Sequence, residues 1–123
     1  MSTPIGPYTP VVRAGPWLIC SGQLGLDPGA DGPTLVEGGA AAQVAQALAN
    51  AERLLAGEGA GVADVVKTTV FLTDMDDYAD VNAAYVSFFA ASGDHRPARS
   101  AVAVAGLPMG ALAEVEVWAY TGG

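Results

Sequence analysis

Val65-Val66-Lys67-Thr68-Thr69-Val70-Phe71-Leu72-Thr73 is the stretch whose reading decides the fold. Its β-branched and aromatic residues predict a strand. Read with period two, one face carries Val66, Thr68, Val70 and Leu72, the other Val65, Lys67, Thr69 and Phe71. Neither face is clearly polar, so both are expected to be covered. In a chain of 123 residues helices can cover one face of a single sheet. A second subunit is the simplest cover for the other, so this strand predicts oligomerisation.

Beyond the strand, Asp74 is placed as an N-cap, with further acids in the first turn where the helix dipole favours them. Asp74, Asp76, Asp77 and Asp80 also invite a calcium-loop reading. The glycine and terminal glutamate of an EF-hand are missing, and a helix pattern follows, so capping is preferred. That helix is expected to run to Ala91, with Val81, Tyr85, Phe88 and Phe89 inward. Residues 100–105 and 112–121 read as the last two strands, joined by a turn over 106–110 and expected to be hairpin neighbours.

On the N-terminal side, residues 40–56 give the clearest helix, with Val44, Leu48, Ala51 and Leu55 as one apolar stripe. Gly57-Glu58-Gly59-Ala60-Gly61 follows a helix and lacks a Gly-Lys-Ser/Thr, so it reads as a helix end and not as a phosphate loop. Residues 22–39 are expected to form a long loop, with a short strand near 34–36. Residues 11–13 and 17–21 read as strands around Ala14-Gly15-Pro16, and residues 1–10, with three prolines, as an extended arm. The order β-β-(β)-α-β-α-β-β predicts one domain over 1–123, α+β, with a single mixed sheet and two helices on one face.

Thirteen Asp and Glu against five Lys and Arg give a formal net charge of −8. Nucleic-acid binding needs a basic footprint, and an anionic membrane surface attracts one, so neither partner is expected. No run of apolar residues reaches membrane-spanning length, and the first residues lack the basic and apolar regions of a signal peptide. Cys20 is the only cysteine and His95 the only histidine, which excludes an intrachain disulfide and a structural zinc site built from those two. A cytoplasmic protein is expected.

Serine-hydrolase, kinase, Walker and zinc-peptidase signatures are absent. His95-Arg96-Pro97-Ala98-Arg99-Ser100 gathers two of the five cations and the only His at the start of a strand. The two arginines read either as surface counter-charges to an acidic protein or as an anion clamp, since a guanidinium grips a carboxylate bidentately. Glu114 and Glu116 alternate with Val115 and Val117, so both carboxylates share a face while the valines enter the core. They are either a solvated face or the place of a water-activating base opposite Arg99. Cys20 and His95, with no activating partner nearby in sequence, read as structural.

These residues carry a resemblance. Pro97-Ala98-Arg99-Ser100, then Leu107-Pro108, then Glu114-Val115-Glu116 resembles the C-terminal signature of the Rid (YjgF/YER-type) family of enamine/imine deaminases. Ile5-Gly6-Pro7-Tyr8, Ser21-Gly22-Gln23, the stretch from Val66 to Leu72, Val81-Asn82-Ala83-Ala84-Tyr85 and Phe88-Phe89 extend the likeness over nearly the whole chain. The resemblance implies a chorismate-mutase-like fold and a homotrimer around a central barrel, with sites between subunits. It implies hydrolysis of 2-aminoacrylate, 2-iminopropanoate and related 2-imino acids to 2-oxo acids and ammonia, without metal or cofactor. Carried over by residue, it makes Arg99 the carboxylate anchor and Glu114 the group acting on water. Tyr8, Ser21, Asn82 and residue 101 line the pocket, Tyr8 from an adjacent subunit. Two positions depart from the pattern. Ala101 stands where the best-known deaminases often have Cys, and Ala113 where a larger aliphatic residue is preferred. A non-catalytic trimer binding small carboxylates in the same cleft is the alternative. RNA cleavage, attributed to some relatives, is opposed by the charge.

Overall fold

The first strand pair forms where the sequence alternates. β1 (Val11–Ala14) and β2 (Trp17–Leu24) are antiparallel around a turn in which Gly15 takes φ 60°. The computed structural model describes residues 6–123; Ile5 and the outer part of the expected arm lie outside the described residues. β2 runs three residues beyond its expected end, into the stretch read as loop. A register shift between Cys20 and Gln23 accounts for this: a bulge at Ser21-Gly22 inserts one extra residue against β5 and breaks the alternation. The short strand expected near 34–36 is a single bridge, Leu26 to Leu35.

α1 (Gly39–Ala56) buries the stripe Val44, Leu48, Ala51 and Leu55 that its spacing predicts. Its end is a glycine stop. Gly59 takes φ 78°, and Ala60 donates its N–H back to the carbonyl of Leu55 at 2.9 Å. β3 (Val65–Leu72) follows, and the Asp74 side chain accepts the N–H of Asp76 in a 3-10 turn that leads into α2 (Tyr78–Ala90). Val81, Tyr85 and Phe89 are buried on the inner side of α2, with Phe88 partly so. β4 (Ala98–Ala103) and β5 (Ala113–Tyr120) complete the chain.

The sheet order is β1-β2-β5-β3-β4. β4 therefore pairs parallel with β3 at one edge, and β5 lies antiparallel between β2 and β3. The expected β4–β5 hairpin is not formed. The reason lies in β5, whose Ala113, Val115, Val117 and Ala119 are all buried. A strand that apolar on one face belongs at the centre of the sheet, beneath the helices, whereas β4 is mostly exposed and suits an edge.

The result is an α+β single mixed sheet with two helices on one face. The helix-side face holds Leu18, Cys20, Thr68, Val70, Leu72 and the small and branched residues of β5. One detail of β3 differs from simple alternation: Val65 is buried and Val66 exposed, because the β3–β5 register shifts between Val65 and Lys67. The other face is open in a single chain. Phe71, Thr69 and Lys67 are half-buried there, and Trp17 lies edge-on to Trp118 and to Tyr120, with ring centroids 6.2 and 4.9 Å apart.

Candidate active site

Arg99 lies on β4 directly beside Thr68 of β3, so its side chain rises on the helix side of the sheet edge. There it meets α2. Tyr78, Asn82 and Tyr85, spaced i, i+4 and i+7, form one stripe of that helix. Arg99 donates from Nη1 to the Asn82 side-chain oxygen at 2.7 Å and from Nη2 to the Tyr78 hydroxyl at 3.1 Å. Its guanidinium carbon stands 4.9 Å from the Tyr85 ring centroid and 5.6 Å from that of Tyr78. Such ring faces attract a cation by about 0.5–2 kcal/mol each. Tyr85 is pinned in turn, its hydroxyl 2.7 Å from that of Thr68 in the core. Burial pushes the Tyr85 phenol up, opposed by the Thr68 hydrogen bond and by the charges of Arg99 and Arg96.

Every group holding Arg99 is neutral. Among the described residues the one ion pair is Arg13 with Glu58, at 3.6 Å. Lys67 donates to the Ser100 hydroxyl and Arg53 to Asn50. Arg99 is thus a fixed, half-buried cation with two of its five N–H groups committed and no carboxylate of its own. Ala101 follows two residues on along the same face, beside Val70 and against the core.

Glu114 is elsewhere. Its neighbour on β3 is Phe71, which places it on the open face, and all of β3 separates its strand from β4. The expectation that Arg99 and Glu114 face each other across a hairpin is therefore corrected: within one chain they stand on opposite faces of the sheet. Glu114 has different company. It lines a cleft with Tyr8, Ser21, Gly22 and Pro108 at the edge that β1 leaves uncovered. Ser21 donates its hydroxyl to the Thr9 carbonyl at 2.6 Å, and its N–H to Pro10 at 2.8 Å, tying the arm that carries Tyr8 to the bulge. Burial first, and then the like charge of Glu116, push the Glu114 carboxyl above its ordinary value. A Cβ on Gly22 would stand 2.8 Å from the Glu114 carboxylate, so the absence of a side chain at 22 makes room for it.

The six residues singled out from the sequence thus fall into two half-sites. Arg99, Asn82 and Ala101 form the cation half; Tyr8, Ser21 and Glu114 form the carboxylate half. Residues 1–121 match the model of the family described as endoribonuclease L-PSP. The chain belongs to this family, the Rid/YjgF proteins.

The Rid chain is 42% identical over 118 residues to a mouse protein named 2-iminobutanoate/2-iminopropanoate deaminase, covering 96% of this chain and 84% of that one. A Salmonella typhimurium protein of the same name is 42% identical over 112 residues, covering 91% and 85%. Among solved structures, the YjgF gene product of E. coli superposes with a TM-score of 0.88 at 40% identity, covering 95% of this chain and 90% of that one. E. coli TdcF with bound serine superposes equally well, TM-score 0.88, at 33% identity and the same coverage.

In this Rid chain the sequence pattern alone does not mark Tyr78, and it marks Tyr85 as an inward-facing residue of α2. The signal is in the spacing: each lies about one helical turn from Asn82 on the same stripe. Cys20 is buried and its thiol is pushed up to about 11 by burial, which makes it inert. The His95 ring donates Nε2–H to the Val65 carbonyl, a structural tie between the α2–β4 connection and β3. Among the described residues no group of three or more His, Cys, Asp or Glu is arranged to hold a metal ion, and no helix is long and apolar enough to cross a membrane.

Proposed function

We propose that the protein is a cytoplasmic hydrolase of reactive 2-imino acids, among them 2-aminoacrylate and 2-iminopropanoate, working as a homotrimer with sites between subunits. The observation that carries this reading is the neutral setting of Arg99. A cation held by an amide, a phenol and two aromatic faces has its remaining N–H groups free for a planar carboxylate. Relatives named 2-iminobutanoate/2-iminopropanoate deaminase at 42% identity support the reaction. The serine bound to E. coli TdcF supports a ligand of amino-acid size.

In this reading the cation half of one subunit meets the carboxylate half of the next. Arg99 and Glu114 lie on opposite faces of one sheet, so a single chain does not offer both to one small ligand. The open face, with Trp17, Phe71, Trp118 and Tyr120, supplies apolar surface for packing against further copies. Arg99 anchors the substrate carboxylate, and Asn82 keeps the guanidinium aimed. Glu114 takes a proton from water as the water oxygen bonds to the imine carbon. Glu114 returns that proton to the nitrogen, giving the neutral tetrahedral carbinolamine, and then passes the hydroxyl proton to the nitrogen as the C–N bond breaks, so that ammonia leaves and the C=O of the 2-oxo acid forms. An imine carbon is already electrophilic, so anchoring plus a general base worth about 10²–10⁴ in rate suffices. A Glu114 carboxyl raised by burial is a stronger base than an exposed one. The net charge of −8 disfavours RNA as the substrate.

The test is release of 2-oxo acid from imines generated in situ by an amino-acid oxidase, over a panel with small, aliphatic, aromatic and basic side chains. Wild type is expected to exceed buffer by at least about tenfold on one class, and Arg99→Ala to abolish the excess while leaving the assembly folded. Stabilisation by 2-oxo acids without turnover above buffer would replace the hydrolase with a carboxylate-binding protein.

A further inference from the structure

We infer that Tyr78 is a positioning residue for the anion-binding arginine, acting through its hydroxyl, with Tyr85 as the anchored floor on which the guanidinium rests. The inference deepens the reading of Arg99 as the carboxylate anchor and rests on it. A guanidinium at the end of a flexible chain binds a carboxylate well only if its plane is set beforehand, since otherwise binding must immobilise it. Three contacts on α2 set that plane. Asn82 holds Nη1 at 2.7 Å, the Tyr78 hydroxyl holds Nη2 at 3.1 Å, and the Tyr85 ring lies 4.9 Å beneath. Two hydrogen bonds on different nitrogens hold the guanidinium's orientation more tightly than either does alone.

The three parts are not equally replaceable. Tyr85 is nearly fully buried and tied to Thr68 at 2.7 Å, so it cannot shift to follow the arginine. Tyr78 begins the helix, is exposed, and touches Arg99 with both ring and hydroxyl. Phenylalanine at 78 retains the ring and removes only the acceptor, leaving Asn82 as the single side-chain hydrogen-bond partner.

Tyr78→Phe is therefore the decisive variant, tested for binding of 2-oxobutanoate by calorimetry and for imine hydrolysis across substrate concentrations. The 2-oxobutanoate Kd is expected to rise about three- to tenfold, the range one hydrogen bond supplies, and KM to rise more than kcat falls. The Arg99 Nη–H signals, assigned by difference against Arg99→Lys, are expected to be resolved in wild type and to merge in Tyr78→Phe as rotation is freed. The melting temperature is expected to change by less than about 2 °C, as for other surface substitutions. Tyr78→Leu, lacking ring and hydroxyl, is expected to weaken binding further. Unchanged Kd and unchanged Nη–H signals in Tyr78→Phe overturn the inference, as does a fall in melting temperature without a change in Kd. A wild type that binds 2-oxobutanoate, with that binding weakened about three- to tenfold in Tyr78→Phe, yet hydrolyses no imine, upholds the inference and removes only the hydrolase.

Discussion

Replacing Gly22 by alanine moves the proposed base while leaving the fold in place, which separates function from stability at one atom. The new Cβ would stand 2.8 Å from both Cδ and Oε2 of Glu114, against the 3.4 Å at which ordinary contact begins. The carboxylate must retreat by about 0.6 Å. Over the short arm from Cβ to Cδ this is a rotation of about 15°, well inside a rotamer well, at a cost below about 1 kcal/mol. Gly22 does not adopt positive φ, so alanine brings no backbone strain. Catalysis is less forgiving, since a displacement approaching 1 Å costs up to about 10²-fold. Gly22→Ala is accordingly expected to lower kcat by about 10- to 100-fold while the Kd for a 2-oxo acid, set mainly by Arg99, stays within about threefold. Steady-state imine hydrolysis, calorimetry and a thermal melt read the three quantities. A folded Gly22→Ala enzyme with kcat within twofold of wild type would refute the placement of Glu114 as the base.

Gly25 provides the contrast: there a Cβ would meet the Gln43 backbone at 2.6 Å, so Gly25→Ala must push α1 away and is expected to cost about 1–3 kcal/mol in a denaturant melt. Met109 is the one non-glycine residue at positive φ among those described, at 61°, and Met109→Gly is expected to raise stability by about 0.5–1 kcal/mol in the same melt. The acid limb of kcat/KM is expected at higher pH than for an unperturbed carboxyl, because burial and then Glu116 raise Glu114; Glu116→Gln removes the like charge and should move the limb to lower pH. For stability the sign is opposite to the usual carboxylate case. A folded-state value above the unfolded one means that the penalty of burying the charged form is absent below the unfolded value and fully present above the folded one. Glu114→Gln should therefore raise the melting temperature at neutral pH while abolishing turnover, and a lowered melting temperature would contradict this.

Much of the fold was legible because its elements obey local rules. The stripe of α1, the Asp74 cap, the glycine stop after Ala56 and the alternation of β5 each follow from a few neighbouring residues. What local rules do not carry is the order of strands. Residues 98–120 hold two strands close in sequence, which reads as a hairpin, yet β5 passes to the sheet centre and leaves β4 on the edge. That choice is made by the fit of Val115 and Val117 beneath two helices, a property of the whole core. The bulge at Ser21-Gly22 was hidden for a related reason: a glycine in a Gly- and Pro-rich stretch looks like loop until its partner strand is known. The candidate site followed the same division. Arg99 and Glu114 stand out by type and spacing and Asn82 only by the family resemblance, but their separation onto two faces, and the Tyr78–Tyr85 cradle, emerge only when α2 is laid over β4.

The central claim is that Arg99 of one subunit and Glu114 of another make one site, and subunit mixing tests it directly. Arg99→Ala and Glu114→Gln proteins, each inactive alone, are unfolded together in equal amounts, refolded and assayed for imine hydrolysis. In a cyclic trimer with each site shared by two subunits, random mixing restores an intact arginine–glutamate pair at about one quarter of the sites. The account predicts recovery of about a quarter of wild-type activity. Activity that stays at the level of the separate variants would contradict it, since that result places both residues of a working site in the same chain.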